Sequence, residues 1–196
     1  MKTINLAGDV GTDITDGLVS ALLRKFEPED VLVNINSYGG DAFEAFAIYN
    51  SLRDYPGNIT TVIKGVAASA AGIIFLAGKR RAVYNKSTFM AHPVWGIAIG
   101  EGDILVSRGQ MLNSITVILA EDIATLSGKT KAEITEALKK ELWLVGGKAL
   151  IEYGIADDLL DSEEGGDAEG ADRAREKGLE ARSRVTTALS NSARET

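Results

Sequence analysis

The sequence has no cysteine and only one histidine among its 196 residues. Without cysteine the chain forms no disulfide, holds no thiolate-bound metal and has no cysteine nucleophile. A single histidine argues further against a metal centre, because protein metal sites usually combine several histidine, cysteine or carboxylate ligands. We therefore expect neither a metal nor another cofactor, and the composition fits a reducing compartment.

A basic surface and long apolar runs are also missing. The chain carries 21 lysines and arginines against 28 acidic residues, a net charge of −7, and the basic residues form no stripe. This balance argues against a nucleic-acid partner. No apolar run approaches the roughly 20 residues of a membrane span, and the N-terminus lacks the apolar region of an export signal. We expect a cytoplasmic protein without a membrane partner.

The residues that are present predict one α/β domain followed by a tail. Short β-like runs alternate with segments of helical periodicity, an order typical of α/β folds. The predicted strands cover 3–7, 30–36, 58–64, 82–84 and 88–91, and the predicted helices cover 14–26, 41 to about 56, 70–77, 102–126, 130–140 and a short segment ending at Gly154. Residues 162–196 have no aromatic side chain and many charges, which predicts a flexible tail behind a domain of residues 1–161.

Ser69 and His92 are the first candidate functional residues. Ser69 lies in the run Gly65-Val66-Ala67-Ala68-Ser69-Ala70-Ala71-Gly72, at a predicted strand-to-helix turn. Small neighbours leave room for a substrate, and a serine nucleophile needs a nearby base, which only His92 can supply as an imidazole. The pair suggests a serine hydrolase. Each residue alone also fits a structural role, in tight helix packing or as an ordinary core or surface histidine.

Gly39 and Gly40 stand between a predicted strand and a predicted helix. Glycines at such a place allow close backbone approach and can present N–H groups to an anion. If consecutive parallel strands are neighbours, the strands before Gly39 and before Ser69 end at the same edge of the sheet. The glycines could then complete an oxyanion hole. An ordinary strand-to-helix loop explains them equally well.

From about Ile4 to Asp161 the sequence resembles the Clp protease proteolytic subunit family, and several ordered motifs are a more specific signal than one. The similar segments are Ile35-Asn36-Ser37-Tyr38-Gly39-Gly40-Asp41, Gly65 to Gly72, Met90-Ala91-His92-Pro93 and Glu152-Tyr153-Gly154-Ile155-Ala156-Asp157. The resemblance implies a crotonase-like α/β spiral fold, with the helix over 102–126 as a ring contact. The details are similar in particular to the head-maturation proteases of tailed phages and prophages: Asp41 after two glycines, the Ala-Ala-Ser-Ala block, His-Pro-Val-Trp-Gly and Glu141-Leu142-Trp143.

The resemblance also implies roles for individual residues. Ser69 would be the nucleophile and His92 the general base, and the backbones of Gly40 and Ala70 would donate to the oxyanion. The family's aspartate before the last helix matches Glu141 with one residue inserted, and a carboxylate there would orient the imidazole. Asp122 and Asp157 are alternatives for this third role. Glu141 after two lysines also fits a plain surface charge.

The function implied is an ATP-independent serine endopeptidase that processes phage capsid or scaffold proteins. By resemblance it would form a homo-oligomeric ring, a heptamer or a double ring. The first predicted strand begins at the start of the sequence, which leaves no axial segment and argues against an ATPase partner.

Three alternatives remain open at this point. The first is a catalytically inactive scaffold or assembly protein with the same ring fold. The second is a Ser-Lys dyad, as in signal-peptide peptidases, with Lys64 as a candidate base. The third is an acyl-CoA enzyme of the crotonase type, which would not require His92 at this place.

Overall fold

The computed structural model describes residues 1–160, with seven strands and six helices in that part of the chain. The strands are β1 (Lys2–Ala7), β2 (Val31–Ser37), β3 (Ile59–Ala68), β4 (Arg80–Tyr84), β5 (Thr88–Ala91), β6 (Leu142–Val145) and β7 (Asp158–Leu160). The helices are α1 (Asp16–Phe26), α2 (Ala42–Asp54), α3 (Ala70–Leu76), α4 (Gly102–Ser127), α5 (Lys131–Lys139) and α6 (Gly147–Tyr153). The predicted domain boundary at 161/162 and the predicted tail lie outside the described residues.

The strands form one mixed sheet whose main path runs β1-β2-β3-β4-β7 with parallel neighbours. Strand β5 pairs in parallel with the end of β3, and β6 pairs antiparallel with β5. Adjacent β2 and β3 place Ser37 beside Ala67. The predicted juxtaposition of the segments after these two strands is therefore confirmed, and it brings the glycine loop to the turn at Ser69.

Helix α3 lies at the centre of the core. All of its 7 residues are buried, so it is apolar on every face rather than amphipathic, as expected for a helix enclosed by other elements. Its Phe75 ring packs against Phe89 of β5, with centroids 6.2 Å apart and planes tilted by 54°. Because α3 starts at the residue after Ser69, this packing fixes one side of the turn at Ser69.

Helices α5 and α2 both begin at a capping side chain, but the glutamates of their first turns have different partners. Thr130 and Glu133 form the complete reciprocal capping box of α5. The Asp41 side chain caps α2 by accepting from the Glu44 amide at 2.9 Å. The Glu44 carboxylate, however, accepts from the backbone N–H of Asp16 at 2.5 Å instead of returning to its own cap. The cap residue of α2 thus borders the glycine loop, while Glu44 ties α2 to α1.

Two strands and part of a third were not predicted. Strand β3 continues to Ala68, beyond the expected end at Lys64, and β6 and β7 lie in segments that showed no strand pattern in the sequence. Both are short, with 4 and 3 residues, and tertiary pairing rather than local propensity decides such strands. Within residues 1–160, no helix is both long and apolar enough to cross a membrane.

A buried ion pair joins β4 to the segment before β7. The Arg81 side chain is 6% exposed, and its Nη2 lies 2.7 Å from Oδ2 of Asp157, whose side chain is 18% exposed. Arg81 also donates to the backbone carbonyls of Ile155 and Gly78. The next pair in sequence, Arg80 with Asp158, has an arginine that is 64% exposed. These two pairs differ mainly in the burial of the cation.

We expect Asp157→Asn to lower the free energy of unfolding by about 3 kcal/mol, because it removes the carboxylate charge that pairs with the buried Arg81 guanidinium. The matched variant Asp158→Asn should cost less than about 1 kcal/mol, since water solvates Arg80. Urea unfolding at one fixed protein concentration measures both. Equal, small losses would contradict a structural role for the Asp157 carboxylate.

Candidate active site

The backbone turns sharply at Ser69, between the end of β3 and the start of α3. Its dihedral angles are φ 53° and ψ −122°, a region that side-chain-bearing residues rarely adopt and that costs about 1–3 kcal/mol. The Ser69 amide donates to the Met90 carbonyl at 2.9 Å, and the Ser69 carbonyl accepts from Gly72 at 3.0 Å. Strand β5 and the first turn of α3 therefore hold the serine in this strained conformation.

His92 follows β5 directly and reaches Ser69 from the neighbouring strand. Its Nε2 lies 2.8 Å from Ser69 Oγ, and its Nδ1 lies 2.8 Å from the Pro93 carbonyl oxygen. A carbonyl can only accept, so the proton of the neutral ring is on Nδ1 and the lone pair on Nε2 faces the serine hydroxyl. This tautomer is the one that a general base for Ser69 requires.

The glycine loop touches the Ser69 turn so closely that side chains are excluded. A Cβ on Gly39, at φ 111°, would lie 2.8 Å from both the Ala68 carbonyl oxygen and Ser69 Cβ. A Cβ on Gly40, at φ 144°, would lie 2.1 Å from the Val10 carbonyl oxygen. Glycine is therefore required at both positions, for space and for backbone conformation.

The amides of Gly40 and Ala70 border the same cavity as Ser69. The bridge between Val10 and Gly40 uses the Gly39 carbonyl and the Asp41 amide. Within residues 1–160 neither the Gly40 nor the Ala70 amide has a hydrogen-bond partner. Two such N–H groups on residues that line the cavity with Ser69 are suited to stabilise the negative charge of a tetrahedral intermediate.

Glu141 lies next to β5 but, among the described contacts, makes no hydrogen bond to the His92 ring. Strands β5 and β6 pair Ala91 with Leu142, so Glu141 stands opposite His92 one step beyond the paired register. Its own φ is 57°, and its carboxylate accepts from the Trp143 indole N–H at 3.2 Å. In the described part of the chain, no carboxylate bonds to the His92 ring.

The other two candidate acids have different surroundings. The Asp157 carboxylate binds Arg81. Asp122 lies on α4, where burial, with a smaller contribution from Glu121, raises the pKa of its carboxyl above the usual value. Neither carboxylate bonds to His92 among the described contacts.

Lys64 is occupied away from Ser69. Its ammonium donates to the Tyr84 hydroxyl at 2.8 Å and lies 4.7 Å from the centre of the Tyr84 ring. The serine hydroxyl is paired with His92 instead. The geometry therefore favours a serine-histidine arrangement over a serine-lysine one.

An open cavity of about 630 Å³ lies in front of Ser69 and His92. Residues 94–99 and one side of α4 also line this cavity, and neither segment was predicted from the sequence as part of the site. A signal for the α4 wall was present, because Ile104, Arg108, Met111 and Leu112 recur at helical spacing. The hydrogen bond from His92 to the Pro93 carbonyl could not be predicted from the sequence, because every residue has a backbone carbonyl.

Comparison with known proteins places this geometry in a family. The family model for Clp protease matches residues 1–163. The chain is 29% identical to the ATP-dependent Clp protease proteolytic subunit 3 of Rhodococcus jostii, over 82% of this chain and 82% of that protein. It is 31% identical to proteolytic subunit 1 of the same organism, over 71% of this chain and 65% of that protein.

A solved structure supports the fold. A ClpP1 mutant from Listeria monocytogenes superposes with a TM-score of 0.71 and 19% sequence identity, covering 87% of this chain and 94% of that chain. The predicted fold class is thereby confirmed. With a family model that matches most of the sequence, the chain belongs to the Clp protease family of serine peptidases.

Proposed function

We propose that the chain is an ATP-independent serine endopeptidase whose catalytic residues are Ser69 and His92. The observation that carries this proposal is the 2.8 Å contact between His92 Nε2 and Ser69 Oγ, with the ring proton held on Nδ1 by the Pro93 carbonyl. Attack by an activated serine on a peptide carbonyl requires no nucleotide and no metal. Residues 1–161 would contain the whole catalytic unit.

The reaction would proceed by acyl transfer. His92 Nε2 accepts the Ser69 proton as Oγ attacks the peptide carbonyl, and the amides of Gly40 and Ala70 donate to the resulting oxyanion. The imidazolium then returns a proton to the leaving amine as the carbon–nitrogen bond breaks. Water, activated by the same ring, attacks the acyl-enzyme and releases the second product.

Glu141 is the proposed orienting acid. Support comes from the β5–β6 register, which places it opposite His92, and from its exposed side chain, which can turn away from the Trp143 indole. A carboxylate near Nδ1 would stabilise the imidazolium that forms during the reaction. In the resting arrangement the Pro93 carbonyl occupies that position.

The proposed substrates are capsid or scaffold proteins of a phage, processed during head maturation in the host cytoplasm. The residues that support this assignment are those that resemble the phage proteases, among them Asp41 after the two glycines and Glu141-Leu142-Trp143. We also propose a homo-oligomeric ring, a heptamer or a double ring. Trp95, Ile97 and Ile99 are 72%, 88% and 93% exposed in the single chain, and such a patch needs a partner or substrate to cover it.

We expect Ser69→Ala to abolish cleavage of a fluorogenic peptide and labelling by a fluorophosphonate probe, with a loss of several orders of magnitude. Alanine fits among the surrounding alanines, so the fold should persist by circular dichroism. The matched variant Ser114→Ala removes an exposed hydroxyl on α4 and should label and cleave as the wild type does. A folded wild-type protein that neither labels nor cleaves would instead identify an inactive scaffold.

Peptide cleavage should decrease on acidification. The reason is that Nε2 must be unprotonated to accept the Ser69 proton. His92→Ala should remove the activity altogether, whereas Lys64→Ala should retain it. Initial rates across a pH series decide between the two bases. Activity that survives in His92→Ala and disappears in Lys64→Ala would establish the serine-lysine alternative.

Glu141→Gln should lower kcat by about tenfold or more while KM changes little, because a neutral amide cannot stabilise the imidazolium. Glu136→Gln, on the exposed side of α5, is the control for loss of one negative charge. Steady-state kinetics on the same peptide measure both. Unchanged kcat in Glu141→Gln would leave the Pro93 carbonyl as the only group that orients His92.

A further inference from the structure

Arg108 interrupts the apolar wall of the cleft. Helix α4 presents Ile104, Met111, Leu112 and Leu119 to the cavity, and Arg108 lies among them. These positions recur at helical spacing, so they form one stripe along the helix. A charged residue inside an apolar stripe is unusual, because the opposite face of an amphipathic helix normally carries the charge. Arg108 is exposed in the single chain, so a substrate that enters the cleft can reach it.

Among the residues that the structure describes, no carboxylate of the cleft pairs with Arg108. Besides His92, the ionisable residues that line the cavity are Asp41 and Arg108. The Asp41 carboxylate caps α2 through the Glu44 amide at 2.9 Å. In the part of the chain that the structure describes, Arg108 takes part in none of the side-chain hydrogen bonds or ion pairs. Arg108 is thus an exposed arginine in the lining of a cavity of mixed polar and apolar surface, and no described carboxylate pairs with it.

We propose that Arg108 is a specificity-determining residue that selects substrates with an aspartate or glutamate close to the scissile bond; this inference rests on the proposed peptidase function. A guanidinium presents several donors in a planar fork that matches the two oxygens of a carboxylate. When a peptide fills the cavity it displaces water, which strengthens the attraction between these charges. The apolar residues around Arg108 would contact the aliphatic parts of the same peptide.

Substrate side chains other than aspartate and glutamate would interact with Arg108 less favourably. Asparagine and glutamine resemble the acidic side chains in size but lack their charge, so they would bind Arg108 through single neutral acceptors. A lysine at that position would be repelled and would also lose part of its hydration. The inference therefore predicts an order of acidic, then amide, then basic side chains at one substrate position.

The test uses the full chain and matched internally quenched peptides that differ only by Glu, Gln or Lys at each position flanking the cleaved bond. For wild type we expect kcat/KM to be about tenfold higher with Glu than with Gln at one position, and the difference should shrink as salt is raised. Arg108→Gln should remove the preference, and Arg108→Glu should favour Lys at the same position. Arg24→Gln, an exposed arginine on α1, is the control and should keep the wild-type preference.

The outcomes separate this inference from the function on which it rests. Cleavage without any charge preference, or with a preference that Arg108→Glu does not reverse, overturns the role of Arg108 and leaves the peptidase intact. Absence of both cleavage and fluorophosphonate labelling overturns the peptidase and the inference together. A change in oligomer size in Arg108→Glu, with specificity unchanged, would show that the guanidinium pairs with a neighbouring copy instead of with substrate.

Discussion

The strained turn at Ser69 is the constraint on which the site depends. At φ 53° the serine backbone is in a region that costs free energy, so the surrounding structure must hold it there. The hydrogen bond to the Met90 carbonyl holds it from β5, and the fully buried α3 holds it from the core. The close approach of Gly39 leaves no space for the turn to relax. The strain projects the hydroxyl toward the cavity and toward His92.

The same constraint links sites that are distant in sequence. Strand β5 supplies both the carbonyl that holds Ser69 and the residue that precedes His92, so the two residues are anchored to the same strand. The β5–β6 pairing then brings Glu141 to the same edge of the sheet. On the opposite side, the Val10–Gly40 bridge fixes the glycine loop. Glycine conformation, strand register and helix burial thus determine one arrangement of the candidate catalytic groups.

The sequence predicted the features that depend on residue type and local period. Ser69, His92 and the two glycines were identified because their residue types and their small neighbours can be read directly from the sequence. The predicted bounds of most helices agree with the structure within a residue or two. Strand β6 was missed because its 4 residues acquire their conformation only by pairing with β5. The Asp157–Arg81 pair was not predicted either, since tertiary folding alone buries that arginine. The catalytic roles of Ser69, His92, Glu141, Gly40 and Ala70 stay predictions.

In the proposed mechanism, the Pro93 carbonyl orients the neutral His92 ring, and a second polar group would stabilise the ring once it is charged. A carbonyl dipole suffices to keep the ring proton on Nδ1 while the ring is neutral. Once Nε2 takes the Ser69 proton the ring carries a full positive charge, and hydrogen bonds between ionised partners are roughly twice as strong as those between neutral ones. The attraction between a carboxylate and the ring would increase at that step, whereas the hydrogen bond to the carbonyl would change less. Fixing the tautomer of the neutral ring and stabilising the charged ring are therefore separate roles. Only the second role favours an acid at position 141.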